Sequence, residues 1–210
     1  MSRGRLAVWA WSEGVANFGD ELGPHLLARL GYDVVRVEEM ADAELLACGS
    51  LMEAAVLEAR TGTIVWGAGS MYGYPLDASA LDVRAVRGPL TASLLGLDVP
   101  TCDPGSLVPH LYRRPRVRHR VGVVRHYVDQ REYPWADVTI DADQPVEEVI
   151  EAIGSCDRIA SSSLHGLIVA AAWGIPTMRL DHKDVAGGAF KWCDWLASDH
   201  DVEALLGCLP

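Results

Sequence analysis

The chain has 210 residues, half of them hydrophobic and 22 % charged, which is enough to bury a core in one domain or two small ones. Its net charge of −11 argues against a general nucleic-acid binder. No apolar run approaches a membrane span, and five scattered cysteines (Cys48, Cys102, Cys156, Cys193, Cys208) lacking CxxC or zinc spacing read as reduced thiols in a cytoplasmic protein.

The opening "MSRGRLAVWAW" has basic residues and a short apolar run but no long h-region and no small-residue cleavage site. It reads as a first strand, "LAVWAW", and not as a leader. "NFGDELGPHLLARLGY" reads as a loop and then a helix that stops at Gly31, "DVVRV" as a second strand, and "ELLACGS" as a third. A helix over "LMEAAVLEAR" leads to "GTIVWGAGS", a strand ending in a glycine-rich turn. "DVRAVRG" follows as a strand, "PLTASLLGL" as a helix with Pro89 in its first turn, and "PTCDPGSLVP" as a strand end and turn.

"RRPRVRHR", residues 113–120, opposes the acidic trend with five arginines and reads either as a solvated linker or as a basic wall facing an anionic ligand. Beyond it the pattern restarts. "VGVVRHYVD" and "ADVTID" are strands, "PVEEVIEAIGSC" a helix, "RIASS" a strand, and "SSSLHGLIVAAAWGIP" a helix apolar on nearly every face. "IPTMRL" is a further strand, and "FKWCDWLAS" and "DVEALLGCL" are terminal helices. Repeated β-α-β order implies parallel sheet. The expected fold is α/β with two Rossmann-like halves and a cleft between them: residues 1–112, an arginine-rich linker at 113–120, and residues 121–210.

Several stretches combine residue types that carry chemistry. Ser161, Ser162, Ser163, Leu164 and His165 fall where a strand ends and a helix begins, the corner at which open α/β sheets bind ligands. A helix start presents unpaired N–H groups and a positive dipole end to an anion. An imidazole at that place can pass a proton near neutral pH. Asn17, Gly19 and Asp20 form a tight loop after the first strand, and Asp20 reads as a helix cap or as a cleft residue that binds or deprotonates a hydroxyl. Gly67, Gly69 and Ser70 resemble half of a dinucleotide fingerprint without the helix that should follow directly, so glycine there serves close backbone approach. Arg87, at a strand end before a helix, is either a surface charge or a bidentate clamp on phosphate or carboxylate. Asp103 reads as a turn former, and His126 and Asp129 end the first strand of the second half. No GxSxG elbow and no protein-held metal site are expected. Trp192 and Trp195 suit an interface or the core equally, and the oligomeric state stays open.

Taken in order, "NFGDELGPHLL", "GAGS", "VRGPLTASLLGL", "DPGSLVP", "VGVVRHYVD", "SSSLHGLIVAAAWGIP" and "FKWCDWLAS" resemble the polysaccharide pyruvyl transferase family. The resemblance departs at Arg125, where family members often carry proline, and at Gly23–Pro24. It implies a GT-B-type arrangement, and transfer of the enolpyruvyl part of phosphoenolpyruvate (PEP) onto two hydroxyls of a sugar to give a pyruvate ketal. No separate cofactor is implied, because PEP is the donor substrate. By the same resemblance Arg87 grips the PEP anion and His165 is catalytic. Ser161 to Ser163 fall where the phosphate rests, Asn17 and Asp20 match the loop facing the cleft, and Lys191 is the basic residue of the "FK" stretch. Independently of the resemblance, Asp20 is read as the base that takes the hydroxyl proton. The rival readings are a GT-B-type nucleotide-sugar glycosyltransferase and a carbohydrate-binding member of the family without turnover.

Overall fold

The structure is a computed structural model that describes residues 3–11, 14 and 16–210. The reading of the N-terminal stretch as a strand and not a leader falls partly on Met1, Ser2, Ser12, Glu13 and Val15, which lie outside the described residues.

Two parallel sheets organise the α/β fold. The first takes β1 (Arg5–Trp9), β2 (Asp33–Arg36), β3 (Leu45–Leu46), β4 (Ile64–Trp66) and β5 (Asp82–Ala85) in the order β2-β1-β3-β4-β5. The second takes β6 (His119–Arg125), β7 (Val138–Asp141), β8 (Cys156–Ser161) and β9 (Thr177–Arg179) in the order β7-β6-β8-β9. Every strand pair in both sheets is parallel. Each sheet reverses its winding beside its first strand, and that reversal creates a crevice at the carboxyl ends of the strands.

Helix α1 (Phe18–Arg29) begins at Asn17, whose carbonyl accepts the N–H groups of Asp20 and Glu21, each at 3.0 Å. It ends as the sequence indicates, with Gly31 at φ +98° and Tyr32 N–H bonding back to the Leu27 carbonyl. Leu22, Leu26 and Leu27 are fully buried at helical spacing. Beyond β3, helix α2 (Met52–Glu58) packs Met52 and Ala55 into a cluster with Met40, Leu46, Val65 and Ala68. Helix α3 (Pro89–Leu95) starts on its proline and stops at Gly96 in the left-handed conformation. The stretch expected as a strand end and turn at 100–109 is one parallel bridge, Val86 to Thr101, and a 3-10 turn at Pro104–Leu107, to which the structure adds the short helix α4 (Val108–Leu111). Its residues lack the run of β-branched side chains that holds a strand, and Pro104 and Pro109 favour turn and helix starts.

In the second half, helix α5 (Val146–Gly154) buries Val149, Ile150 and Ile153 on one face. Helix α6 (Leu164–Ala172) is buried from Leu164 through Ala170, as its all-round apolar character demands. Helix α7 (Phe190–Leu196) buries Trp192 and Trp195, which places both tryptophans in the core. After helix α7 comes helix α8 (Val202–Gly207), tied to the first sheet by the Trp66 indole, which donates to the Leu205 carbonyl at 2.8 Å.

The compact units interleave along the chain. One comprises Met1–Trp11, Gly23–Pro104 and Gly187–Pro210, and the other Ser12–Leu22 and Gly105–Ala186. The sequence reading divided the chain in order at the arginine stretch, whereas here the terminal helices join the first sheet and the start of α1 joins the second. The divide passes through α1 beside Pro24, which has no N–H to donate within the helix.

Candidate functional site

The unit built on the second sheet carries Asn17, Gly19, Asp20, His126, Ser161, Ser162, Ser163, Leu164 and His165. The unit built on the first sheet carries Gly67, Gly69, Ser70, Arg87 and Lys191. Gly67, Gly69 and Ser70 follow β4 and Arg87 follows β5, while Ser161 to His165 run from the end of β8 into α6, so these stretches lie at the carboxyl ends of their sheets.

In the second unit the serine–histidine stretch sits at the crevice between β6 and β8, where Val124 pairs in register with Ser161. The three serines divide their roles. Ser161 Oγ accepts the Ser163 N–H at 2.9 Å and lies within bonding distance of the Val124 and Ser163 carbonyls, at 2.9 and 2.8 Å. Ser162 Oγ donates to Asp129 Oδ2 at 2.6 Å and accepts the His126 N–H at 3.1 Å. Both hydroxyls are therefore engaged by the chain itself. Ser163 is the N-cap of α6, yet its side chain makes no capping bond, although the residue is only 3 % exposed. Of these three serines it is the one whose hydroxyl is not engaged in this way by the described residues.

His165 follows in the first turn of α6 and is 8 % exposed. Its ring lies against Gly19, where a β-carbon would stand 2.3 Å from Nδ1. Only glycine allows that approach. Asn17 holds the loop by accepting the Gly19 N–H on its side-chain oxygen at 3.3 Å and donating from Nδ2 to Asp20 Oδ2 at 2.5 Å. Asn17, not Asp20, is the cap of α1, so the plain explanation of Asp20 as the capping residue passes to its neighbour. His126 contributes its backbone N–H to Ser162 and stacks its ring 4.4 Å from that of Tyr127.

In the first unit Arg87 is 1 % exposed, which excludes the surface-charge alternative. Its Nε and Nη2 meet Asp194 Oδ2 at 3.0 and 2.9 Å, Nη1 donates to Ser50 Oγ at 2.7 Å, and Nη2 donates to the Ser70 carbonyl at 2.6 Å. Burial pulls the Arg87 pKa down, and the Asp194 and Asp103 carboxylates oppose that shift. Gly69 makes room for the guanidinium, since a β-carbon there would lie 2.3 Å from Cζ. Gly67 has φ +85° and abuts Pro104, so that position needs glycine on two counts. Ser70 Oγ donates to Glu53, which also accepts the N–H groups of Met71 and Tyr72. Burial raises the Glu53 pKa, but these hydrogen bonds outweigh it and the carboxyl sits below its ordinary range. Lys191 is buried in the first turn of α7 with Nζ 5.9 Å from the Trp192 ring centre.

Sequence reasoning missed Glu53 and Asp194 and saw in Asp129 only a strand-end residue. Asp194 stands inside the quoted "FKWCDWLAS", where an acid among buried tryptophans was a usable signal. Asp103, read as a turn former, is fully buried, with Cys48 Sγ 4.0 Å from its Oδ1. The arginine stretch runs into the amino end of β6. The rest of β6, Val121–Arg125 at about 3.3 Å per residue, separates it from the serine corner of the same unit, so it is no wall of that corner. There Arg114 donates to the Gly154 and Cys156 carbonyls and Arg118 pairs with Glu151.

A family model described as polysaccharide pyruvyl transferase matches residues 17–184, which span both groups of residues up to the last helices. The chain belongs to the polysaccharide pyruvyl transferase family. It is 30 % identical to the succinoglycan biosynthesis protein ExoV of Rhizobium meliloti (strain 1021), over 90 % of this chain and 64 % of that protein. It is 29 % identical to the uncharacterized protein L143 of Acanthamoeba polyphaga mimivirus, over 45 % of this chain and 38 % of that one. The chain thus spans less than two thirds of the length of either relative. No solved structure matches it. Among the described residues of this family member, no helix is long and apolar enough to cross a membrane.

Proposed function

We propose that this chain transfers the pyruvyl group of PEP onto two hydroxyls of a sugar within a polysaccharide or its precursor, releasing phosphate and leaving a pyruvate ketal. Family membership supports the reaction class. The observation that carries the site assignment is the buried His165 imidazole, held against Gly19 at the start of α6 beside the uncommitted Ser163 hydroxyl.

In this reading His165, as imidazolium, gives its proton to the methylene carbon of PEP, which becomes the methyl group. Positive charge grows on the adjacent carbon and a sugar hydroxyl adds there, losing its proton to Asp20. The bond from that carbon to the phosphate oxygen breaks and phosphate departs with the electron pair, taking the proton held by Asp20, and the second hydroxyl closes the ketal as its proton passes to the now neutral His165, restoring the imidazolium. Ser163 Oγ and the first N–H groups of α6 receive the phosphate, where the helix dipole favours negative charge. Arg87 carries the anion-gripping role that the resemblance implies. Its closed contacts with Asp194 give it a rival role in holding α3 to α7, and substitution separates the two.

The test is sugar-dependent phosphate release from PEP over a panel of neutral and amino sugars. General acid catalysis by one side chain contributes roughly 10²- to 10⁴-fold, so His165→Ala should lose about that much turnover while PEP still raises the unfolding midpoint. Near-normal turnover in that variant would remove the acid assignment. Stabilisation by UDP- or GDP-sugars but not by PEP would turn the reading to glycosyl transfer.

A further inference from the structure

Asp129 lies in the turn after β6 and is 1 % exposed. Its Oδ2 accepts from Ser162 Oγ at 2.6 Å, from the Tyr133 hydroxyl at 2.7 Å and from Arg131 Nη2 at 2.8 Å. Its Oδ1 accepts from Arg131 Nε at 2.8 Å and from the Arg131 backbone N–H at 3.1 Å, with His182 Nε2 at 3.7 Å. A carboxylate has about four lone-pair sites, so this one is saturated. Burying a charge costs several kcal/mol unless pairing and hydrogen bonds offset it. A loop that only had to turn would need no such arrangement.

Of these donors, Ser162 is the one at the serine–histidine corner. Its N–H bonds the Val124 carbonyl at 3.1 Å and its Oγ accepts the His126 N–H, so the single hydroxyl proton goes to Asp129. Ser162 thereby stitches the carboxyl ends of β6 and β8 together at the residue before the α6 cap. Arg131, Tyr133 and His182 hold the carboxylate from the surrounding loops.

We propose that Asp129 is a positioning residue that acts through Ser162 to set the β8–α6 corner, so that the Ser163 hydroxyl and the His165 imidazole are presented to one ligand. The proposal rests on the function proposed above. Without the anion, the Ser162 proton is free to turn toward a carbonyl or the ligand, and the peptide leading into the α6 cap loses its anchor.

The test uses Asp129→Asn, Ser162→Ala and their combination, with Ile153→Ala in the buried face of α5 as a control for general destabilisation. The His165 ring resonances, assigned by their loss in His165→Gln, should shift in both single variants and shift no further in the double. In the same proteins kcat/KM for PEP should fall at least tenfold in each single variant, and in the double no further than in the worse single, because both act on one link. Ile153→Ala should lower the unfolding midpoint and leave both readouts in place. Unmoved His165 resonances in a folded Asp129→Asn protein, or losses that multiply in the double variant, would overturn the assignment. The resonance measurement does not depend on turnover. If the wild type releases no phosphate from PEP, the proposed function fails while the role of Asp129 is still decided.

Discussion

Gly19 and His165, one in the first turn of α1 and the other in the first turn of α6, are in direct contact: a β-carbon at position 19 would lie 2.3 Å from the imidazole Nδ1. Glycine inside a helix is normally unfavourable by about 1 kcal/mol relative to alanine. Its presence here marks a place where space for a ring outweighs helix propensity. Gly19→Ala should therefore leave the protein folded, forfeit the stabilisation that propensity alone would bring, and displace the His165 ring. Phosphate release should drop at least tenfold, and the His165 resonances should move. Wild-type turnover together with a raised unfolding midpoint would show that the contact is dispensable.

The buried pair of Arg87 and Asp194 should dominate the stability of the first unit. Removing one partner of a buried, hydrogen-bonded pair costs about 3–5 kcal/mol, because the other charge stays uncompensated. Asp194→Ala also strips the acceptor from the Thr91 N–H and hydroxyl, bonded at 2.8 and 2.7 Å. Urea unfolding should give a loss of that size, with the Arg87→Ala/Asp194→Ala double variant less unstable than the sum of the singles. If Arg87 also grips PEP, Arg87→Lys should weaken PEP binding by calorimetry beyond what its stability loss explains.

The serines should separate by substitution. A serine N-cap replaced by alanine usually costs about 1 kcal/mol, but the Ser163 side chain makes no capping bond. Ser163→Ala should lose only a few tenths of a kcal/mol by urea unfolding, yet should reduce the thermal stabilisation given by PEP or inorganic phosphate. Ser161→Ala should do the reverse, costing about 1–2 kcal/mol because its oxygen is bonded on several sides.

Stability should also fall in acid along a defined window. Burial raises the Asp129 pKa, but hydrogen bonds from Arg131, Ser162 and Tyr133 outweigh this and hold the carboxyl well below its ordinary 3.8. Glu53 is likewise held below 4.5. A folded-state pKa below the unfolded one contributes stability that is fully present above the unfolded value and is lost as pH falls toward the folded one. Urea midpoints should thus decline below about pH 4, and Asp129→Asn should flatten that decline. Burial and the neighbouring Asp129 also push the Tyr133 phenol up to about 12, so the same variant should bring its ultraviolet titration to lower pH. An unchanged acid slope in Asp129→Asn would mean that this carboxylate carries none of the decline.

Local order and the character of each element were written in the chain: alternating strand and helix patterns, a glycine stop at position 31, and an all-apolar α6 that had to be buried. These are short-range properties of neighbouring residues, and they were enough for two parallel sheets and for the stretches that carry the family likeness. Tertiary structure alone decided which polar groups are already spoken for. Arg87 meets an acid 107 residues away, Ser162 meets one 33 residues away, and Gly19 is a glycine because of a ring in another helix. Such pairings depend on how the elements stack and in which register, and no periodicity along the chain encodes that.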